Sequence, residues 1–437
     1  MPIETELARS IETRAARLAV IGQGYVGLPL ALEFARAGFA VVGIDTDRDR
    51  IATLSLGQSP TPDVADAELA EQLATGRYRP TGDFAALEAS DVVLICVPTP
   101  LRKSKDPDIA YVVAAAEHVA AHFHPGQLVV LESTTYPGTT DELLLPMLAE
   151  RGGRAGHSVF VAFSPERIDP ANTQFKVRDI PKVVGGATPA CTRLAAALYR
   201  TIVPRVYEVS SPTVAELAKL YENTFRNINI ALANEFALMC RRLGVSSREV
   251  IDAAATKPFG FMPFYPGPGI GGHCIAVDPF YLSWKLRLNG YEPRFIHIAD
   301  EINQRMPEHV VELVTDALNV RRQSVNGAAI LALGVAYKGN VGDTRESPAL
   351  EILATLRGKG ARVSYCDPWV PTAPVGGDEL KSVELSDQRL AEADCVLVLA
   401  DHAAFDYRAV VKASRLVVDA RNATWGIEAP PGRVVRL

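Results

Sequence analysis

A glycine-rich turn near the amino end constrains the fold of this chain more than any other feature. Gly22, Gly24 and Gly27 follow the apolar run LAVI and precede the helical pattern PLALEFARAG. In a strand–turn–helix unit with this spacing, the first glycine permits a tight turn and the second lets backbone approach a pyrophosphate. The third lets the helix pack closely on the strand. The pattern therefore predicts a parallel α/β sheet that binds a dinucleotide at its first turn.

A carboxylate at the end of the next strand indicates which dinucleotide this turn binds. Asp45 ends the run AVVGID, about 20 residues after the glycines, where a carboxylate accepts both ribose hydroxyls and repels a 2′-phosphate. Although a nearby arginine can accommodate a 2′-phosphate, the presence of Asp45 makes Arg50 an expected adenine or ribose contact. The sequence therefore predicts NAD rather than NADP.

Apolar runs alternate with amphipathic stretches at both ends of the chain. The first series includes AVVGID, DVVLICV, LVVLES and VFVAFSP, and the second includes AAILALG, ARVSYCDP, CVLVLA and RLVVDA. This alternation is typical of parallel sheets covered by helices, whereas helical periodicity dominates between the two series. We predict an α/β fold with two Rossmann-like doubly wound domains joined by a long-helix all-α connector. The predicted domains are residues 1–210, 211–325 and 326–437.

Composition excludes several classes of partner and site. A net charge of -6 with scattered basic residues argues against nucleic acid. The six cysteines form no CxxC pair, so we expect reduced thiols in the cytoplasm, with neither a disulfide framework nor a metal site. The polar start does not resemble a secretory signal, and the uncharged stretch over residues 18–32 is too short to span a bilayer. We expect no membrane segment.

Two groups of side chains in the predicted connector are candidates for chemistry. Cys274 follows two glycines at the end of the irregular segment FGFMPFYPGPGIGGHC, and Asp278 comes four residues later. A thiol in a glycine-rich loop beside a base is a candidate nucleophile, although a lone cysteine is usually buried filler. Lys219 and Asn223 lie one turn apart on the long helix, so they can address one ligand. Taken alone, that pair is more typical of a solvated helix face.

Several longer motifs occur together and in a fixed order. They are GQGYVGLPLA, CVPTP, LESTTYPGTT, SPER, ELAKLYENTFRNINIALANE, PGPGIGGHCIAVDPFY and GVAYKGNVGDTRESPAL. With these motifs the chain resembles the UDP-glucose/GDP-mannose dehydrogenase family across nearly its whole length. Within that family, the segment TKPFGFMPFYPGPGIGGHCIAVDPFYLSWK is most similar to the bacterial UDP-N-acetylglucosamine 6-dehydrogenases of polysaccharide synthesis.

The resemblance implies an NAD-dependent, four-electron oxidation of a UDP-sugar C6 alcohol to a carboxylate. In that chemistry Cys274 holds the intermediate aldehyde as a thiohemiacetal and then as a thioester. Lys219 and Asn223 donate hydrogen bonds to the oxyanion that develops at C6. Asp278 activates water or receives the alcohol proton.

The resemblance also implies further site residues. Thr134 would position the attacking water, and Glu166 of SPER would assist thioester hydrolysis, unless Glu166 is simply a surface acid. The implied NAD site comprises Gly22, Gly24, Tyr25, Val26, Gly27, Asp45, Arg50, Thr99, Thr134 and Arg345. The implied sugar-nucleotide site comprises Glu166, Lys219, Asn223, Phe264, Tyr265, Gly271, Lys338 and Arg421. The expected partners are the UDP-sugar and a second copy of the chain, in a homodimer or higher homo-oligomer formed through the apolar connector helix.

Two departures from the family pattern bear on the substrate. UDP-glucose dehydrogenases have a lysine immediately before the aspartate, where this chain has Val277, and a second glutamate where it has Pro170. Both argue against UDP-glucose and for the N-acetylhexosamine branch of the family. Within that branch we expect UDP-N-acetylglucosamine, while UDP-N-acetylmannosamine, UDP-N-acetylgalactosamine and UDP-glucose stay open. A two-electron hydroxyacid-type dehydrogenase would need neither Cys274 nor the second α/β domain. A non-catalytic NAD- or sugar-nucleotide-binding regulator would need no nucleophile.

Overall fold

The chain packs into two compact units. In the computed structural model, residues 2–61, 64–102, 104–167, 175 and 177–437 are described, so Pro170 lies outside the described residues. The first unit consists of Met1–Glu222 and Phe280–Tyr291, and the second of Asn223–Pro279 and Glu292–Leu437. The finer division at residues 210 and 325 stays a prediction.

The first unit contains an eight-stranded sheet with the order β3-β2-β1-β4-β5-β6-β7-β8. Only the β6–β7 pairing is antiparallel among its strand pairs in the described residues. Its central strands are apolar and fully buried, as expected for a sheet covered on both faces. The strands are β1 Arg17–Ile21, β2 Ala40–Ile44, β3 Tyr78–Thr81, β4 Val92–Ile95, β5 Gln127–Leu131, β6 Val159–Phe163, β7 Lys182–Gly186 and β8 Val206–Val209.

Helices cover this sheet and bury two apolar clusters, which contain alternate residues of the same strands. Val20 and Leu94 belong to one cluster, whereas Ile21 and Ile95 belong to the other. The doubly wound prediction is therefore confirmed for the first unit. Its helices are α1 Ile3–Glu12, α2 Gly27–Arg36, α3 Arg48–Ser55, α4 Asp66–Ala74, α5 Ala110–Ala121, α6 Leu145–Ala149 and α7 Pro189–Tyr199.

Long helices replace strands in the middle of the chain, as predicted. They are α8 Pro212–Leu243, α9 Ser247–Ala255, α10 His273–Leu288 and α11 Arg294–Val320. The predicted position of Cys274 in an irregular loop is wrong, because α10 begins at His273. The loop ends at Gly272, whose φ of +81° closes the last turn. The residues that follow contain neither glycine nor proline before Pro279, so they can form a helix at once.

The second unit contains a five-stranded parallel sheet with the order β10-β9-β13-β14-β15. This strand order is that of a doubly wound sheet, which confirms the second Rossmann-like prediction. No described helix is long and apolar enough to cross a membrane. The remaining elements are β9 Ala329–Leu333, α12 Pro348–Gly358, β10 Arg362–Cys366, β11 Thr372–Val375, β12 Asp378–Lys381, α13 Asp387–Glu392, β13 Cys395–Val398, α14 Tyr407–Ala413, β14 Val417–Asp419 and β15 Val434–Arg436.

Each of the two larger sheets has one point at which the strand order reverses. It lies between β1 and β4 in the first unit and between β9 and β13 in the second. Ligands of open α/β sheets bind outside the carboxyl ends of the strands at this point. These two edges are therefore where binding residues are expected.

Candidate active site

The glycine turn after β1 has the shape that a dinucleotide requires. A Cβ on Gly22 would lie 2.4 Å from the Cys96 carbonyl oxygen, and one on Gly27 would lie 1.8 Å from the Gly22 carbonyl oxygen. Both positions therefore exclude any side chain. A Cβ on Gly24, by contrast, would meet nothing within 4 Å. The open side of the turn at Gly24 can admit a pyrophosphate.

Asp45 supports this turn from the end of β2. Its carboxylate accepts hydrogen bonds from the backbone N–H of Gln23 at 2.8 Å and of Asp47 at 3.0 Å. The Arg50 guanidinium pairs with the same carboxylate at 3.0 Å. Arg50 thus lies beside the predicted ribose acceptor. The residues present fit NAD, which accepts a hydride when bound.

The other predicted NAD residues fall at different places. Thr99 is buried in the segment after β4, and Tyr25 is exposed at the glycine turn, where Val26 precedes α2. Thr134 follows β5, in a segment tied to the residues after β4 by the Ser133 hydroxyl, which donates to the Val97 carbonyl at 2.8 Å. Arg345 lies in the second unit and forms a bidentate ion pair with the Asp343 carboxylate.

Glu166 is not a surface acid. Its side chain is only 13% exposed and lies 3.4 Å from the ammonium of Lys182. That ammonium also contacts the buried Glu132 carboxylate at 2.5 Å, and Glu132 accepts a hydrogen bond from the Tyr199 hydroxyl. Burial raises the pKa of Glu132 to about 6, against the opposing charge of Lys182. Glu166, the predicted hydrolytic carboxylate, is therefore part of a buried cluster of charged side chains.

The predicted nucleophile and base lie on the first turns of α10. Cys274 is exposed, whereas the carboxylate of Asp278 is buried and accepts a hydrogen bond from the Asn223 amide at 2.5 Å. Asn227, one turn further along α8, donates to the Ile275 carbonyl at 3.0 Å. The structure thus brings Asn223 and Asp278 together, and α8 fixes the first turn of α10. Lys219 is also buried on α8, in its first-unit part.

Arg421 is fixed at the carboxyl edge of the second sheet. Its guanidinium donates to the Leu399 carbonyl at 3.0 Å and to the Tyr337 carbonyl at 2.9 Å. A Cβ on Gly267 would lie 2.8 Å from another guanidinium nitrogen. The glycine-rich segment before α10 therefore packs directly on this arginine. Burial lowers the pKa of Arg421, while the nearby Asp401 and Asp419 carboxylates act in the opposite direction.

The glycine-rich segment before α10 also contains the predicted substrate residues Phe264, Tyr265 and Gly271. A Cβ on Gly271 would lie 2.6 Å from that of Tyr337, next to Lys338 in the segment after β9. The Tyr265 hydroxyl donates to Asp252 at 2.8 Å, and the Arg248 guanidinium lies 4.1 Å from the centre of its ring. The ring of Phe264 packs against Phe225 instead. Gly271, Lys338 and Arg421 are thus held at one edge of the second sheet.

Three buried groups that position these segments were not identified from the sequence. Asp367 accepts from the backbone N–H groups of Val335 and Trp369, and from His402 at 3.1 Å. His402 in turn accepts from the Asn340 N–H at 3.0 Å, which fixes both sides of Lys338.

Glu216 has a comparable role on α8. It accepts from the backbone N–H of Gly138 at 2.5 Å and of Thr140 at 3.0 Å. Burial raises the pKa of this carboxyl, while these hydrogen bonds act in the opposite direction. The available sequence signal was the presence of acids directly after strands or inside apolar helical runs.

Comparison with known proteins gives matches along most of the chain. Residues 16–203 match the NAD binding domain of the UDP-glucose/GDP-mannose dehydrogenase family. Residues 213–305 match the central domain of that family, and residues 331–425 match its UDP binding domain.

Individual relatives agree with this result. A UDP-N-acetyl-D-glucosamine 6-dehydrogenase from Pseudomonas aeruginosa is 40% identical over 356 residues, which are 81% of this chain and 83% of the relative. A UDP-N-acetyl-D-mannosamine dehydrogenase from Pyrococcus horikoshii is 37% identical over 95% of this chain and 97% of its own. A solved structure of the UDP-D-ManNAc dehydrogenase from Pyrococcus horikoshii superposes with a TM-score of 0.87, at 34% identity, over 96% of this chain and 98% of that one.

We predict that Asp45 determines the choice of dinucleotide. Asp45→Ala should raise the KM for NAD by about tenfold or more, because a charged hydrogen-bond acceptor for ribose is lost. The same variant should accept NADP more readily than wild type does, because the repulsion of the 2′-phosphate is removed. Steady-state kinetics with both dinucleotides test this.

Asp47→Ala is the matched control, because Asp47 caps α3 two residues away. It should lower stability by about 1 kcal/mol yet keep the preference for NAD. A wild-type enzyme that turns over faster with NADP than with NAD would contradict the prediction.

Proposed function

Because this chain belongs to the UDP-glucose/GDP-mannose dehydrogenase family, we propose that it oxidises UDP-N-acetylglucosamine to the corresponding uronic acid. Family membership makes it an NAD-dependent oxidoreductase acting on UDP-sugars. The proposal adds the identity of the sugar and a covalent route through Cys274.

The exposure of one thiol is the observation that carries the covalent route. Cys274 is exposed, while the other five cysteines are buried. It lies in the first turn of α10, where the positive end of the helix dipole favours an anion. One turn later is the buried carboxylate of Asp278. An accessible thiol at the start of a helix and one turn from a carboxylate is suited to nucleophilic attack on a carbonyl carbon.

The chemistry then follows from the residues present. In the first oxidation the C6 alcohol loses its proton to a base and its hydride to NAD. The Cys274 thiolate adds to the resulting aldehyde and forms a carbon–sulfur bond. The thiohemiacetal then loses its hydride to a second NAD and its hydroxyl proton to a base, which leaves a thioester. Water cleaves this thioester to the carboxylate and releases the Cys274 thiolate. In this scheme Lys219 and Asn223 donate to the C6 oxygen, and Asp278 holds the transferred proton.

The choice of sugar rests on relatives and on sequence departures. The 40% identical relative from Pseudomonas aeruginosa and a 35% identical one from Salmonella typhi are both named for UDP-N-acetyl-D-glucosamine. The relative named for UDP-N-acetyl-D-mannosamine is similar at 37%, so the epimer is a proposal. Val277, in the place of the UDP-glucose enzymes' lysine, supports an N-acetylated sugar.

We predict that a panel of UDP-sugars will rank UDP-N-acetylglucosamine first. Its kcat/KM should exceed those of UDP-N-acetylmannosamine, UDP-N-acetylgalactosamine and UDP-glucose by about tenfold or more, a difference of about 1.4 kcal/mol in transition-state binding. The measurement is NADH formation by purified protein under identical conditions. A larger kcat/KM for UDP-glucose would overturn the substrate assignment while leaving the chemistry intact.

We predict that two NADH form per sugar and that Cys274 carries the covalent intermediate between the two oxidations. Cys274→Ala should bind NAD and UDP-sugar but turn over about a thousandfold or more slowly, because no nucleophile remains. Cys274→Ser should form no acid, because an alkoxide is a poorer leaving group than a thiolate. NADH counted against consumed sugar gives the stoichiometry.

Cys240→Ala is the control, because it removes a buried thiol and should leave the stoichiometry unchanged. Two results would instead favour the hypothesis of a two-electron hydroxyacid-type dehydrogenase. They are one NADH per sugar with release of free aldehyde, and near wild-type turnover by Cys274→Ala.

An apolar groove in the second unit supports the proposed homodimer. It encloses about 630 Å³ and is formed by α8, α9 and the segment before α10. Large apolar side chains are exposed there, including Leu232 at 59% and Met262 at 63%. Contiguous exposed apolar surface of this kind marks association sites, and self-association through one patch gives a two-fold dimer. We propose that this α8–α9 groove is where two copies meet.

We predict that a charge in the groove dissociates the dimer. Leu232→Asp should shift the mass measured by analytical ultracentrifugation from dimer to monomer at micromolar concentration, because the carboxylate would be desolvated in the interface. Tyr207→Asp places the same charge on an exposed aromatic outside the groove and should leave the mass unchanged. A monomeric wild type, or a Leu232→Asp variant of unchanged mass, would refute the assignment.

A further inference from the structure

The buried charge cluster in the first unit contains a lysine with no role in the proposed reaction. Lys182 is the first residue of β7, and its side chain is only 7% exposed. Its partner Glu132 directly follows β5, and its side chain is fully buried. Tyr199, the last residue of α7, donates its hydroxyl to Glu132. A lysine buried this deeply requires compensation for each of its N–H groups.

The ammonium of Lys182 has one acceptor for each of its three donors. It contacts the Glu132 carboxylate at 2.5 Å, the Pro165 carbonyl at 3.1 Å and the Glu166 carboxylate at 3.4 Å. Two of these acceptors belong to consecutive residues of the SPER segment. Lys182 therefore fixes both the backbone at Pro165 and the side chain of Glu166.

The two carboxylates share the lysine unequally. The contact with Glu132 is short, whereas the contact with Glu166 is longer and the Glu166 side chain is partly exposed. Its other oxygen accepts the backbone N–H of Arg167 at 2.6 Å. The Lys182 ammonium therefore orients the Glu166 carboxylate through the longer of its two carboxylate contacts, while Glu132 takes the shorter one.

We propose that Lys182 is a positioning residue for Glu166 in hydrolysis of the thioester, an inference that rests on the proposed function. In that step the water oxygen forms a bond to the thioester carbonyl carbon, and the water proton passes to the Glu166 carboxylate. The carbon–sulfur bond breaks, and Cys274 leaves as the thiolate. The step consumes only water, and Glu166 then releases its proton to solvent. Lys182 acts through Glu166 and does not touch the reacting atoms.

Charge compensation makes a clean test possible. Lys182→Met alone would leave Glu132 buried without a cation, and that variant is expected to be unstable. The double variant Glu132→Gln/Lys182→Met removes both charges and keeps the volumes similar. Glu132→Gln alone keeps the ammonium beside Glu166. These two proteins therefore differ only at Lys182, which is the residue that contacts Pro165 and Glu166 of the SPER segment.

The measurements separate acylation from hydrolysis. Each variant is mixed with NAD and the UDP-sugar that wild type oxidises, quenched rapidly, and analysed by intact mass for an acyl adduct on Cys274. The double variant should show a kcat lowered by about tenfold or more relative to Glu132→Gln, within the range for impaired general base catalysis. The acyl adduct should accumulate, while the first NADH burst and the KM for NAD stay unchanged.

Tyr199→Phe is the matched structural control. It removes a hydrogen bond to Glu132 but no contact with Glu166, so it should lower Tm without accumulating the adduct. Accumulation of the same adduct in Tyr199→Phe, or its absence in the double variant, would overturn the role of Lys182. If wild type itself formed one NADH per sugar and no variant formed an adduct, the covalent route would fail first, and the inference with it.

Discussion

Buried carboxylates satisfy the backbone N–H groups that are left free at the carboxyl ends of the parallel strands. Asp45 follows β2, and Asp367 and Asp419 stand at the ends of β10 and β14. Each accepts at least two backbone N–H groups from the turns beside it. Unpaired buried N–H groups are costly, and bonds from N–H to a carboxylate are stronger than neutral ones. These hydrogen bonds hold the turns in place without a ligand. They hold the glycine turn through the Gln23 N–H and the Arg421 backbone through its own N–H.

The parts of the fold that sequence predicted well are those governed by local rules. The glycine turn was identified because only glycine fits where a Cβ would collide with the Cys96 or Gly22 carbonyl. The strands were identified because buried parallel strands are continuously apolar. The position of Cys274 was wrong because the same proline and glycine residues that mark a loop do not specify where it ends. Gly271 and Gly272 pack against Tyr337 at that end, and this contact cannot be read from the sequence.

The cluster around Lys182 shows why the rest of the site could not be predicted. Glu132 directly follows β5, and Lys182 is the first residue of β7. In the sheet, β6 separates these two strands. The pairing of Glu132 with Lys182 depends on strand order and on the antiparallel pairing of β6 with β7, and not on any spacing along the chain. From the sequence alone, Glu166 is either a hydrolytic carboxylate or a surface acid, and nothing in the sequence marks Lys182. Only the fold reveals that their charges compensate each other.

One dinucleotide site must serve two oxidations in the proposed reaction. A GxGxxG turn follows β1, whereas β9 is followed by GVAYKG, in which Ala336 stands in place of the second glycine. The first NADH must therefore leave, and a second NAD must bind, while the half-oxidised sugar stays in place. A free aldehyde would be lost to water or amines during that exchange. A covalent bond to Cys274 retains the carbon without using the dinucleotide site. Because one dinucleotide-binding turn must serve both oxidations, the proposed reaction needs an accessible thiol to hold the aldehyde while NADH is exchanged for NAD.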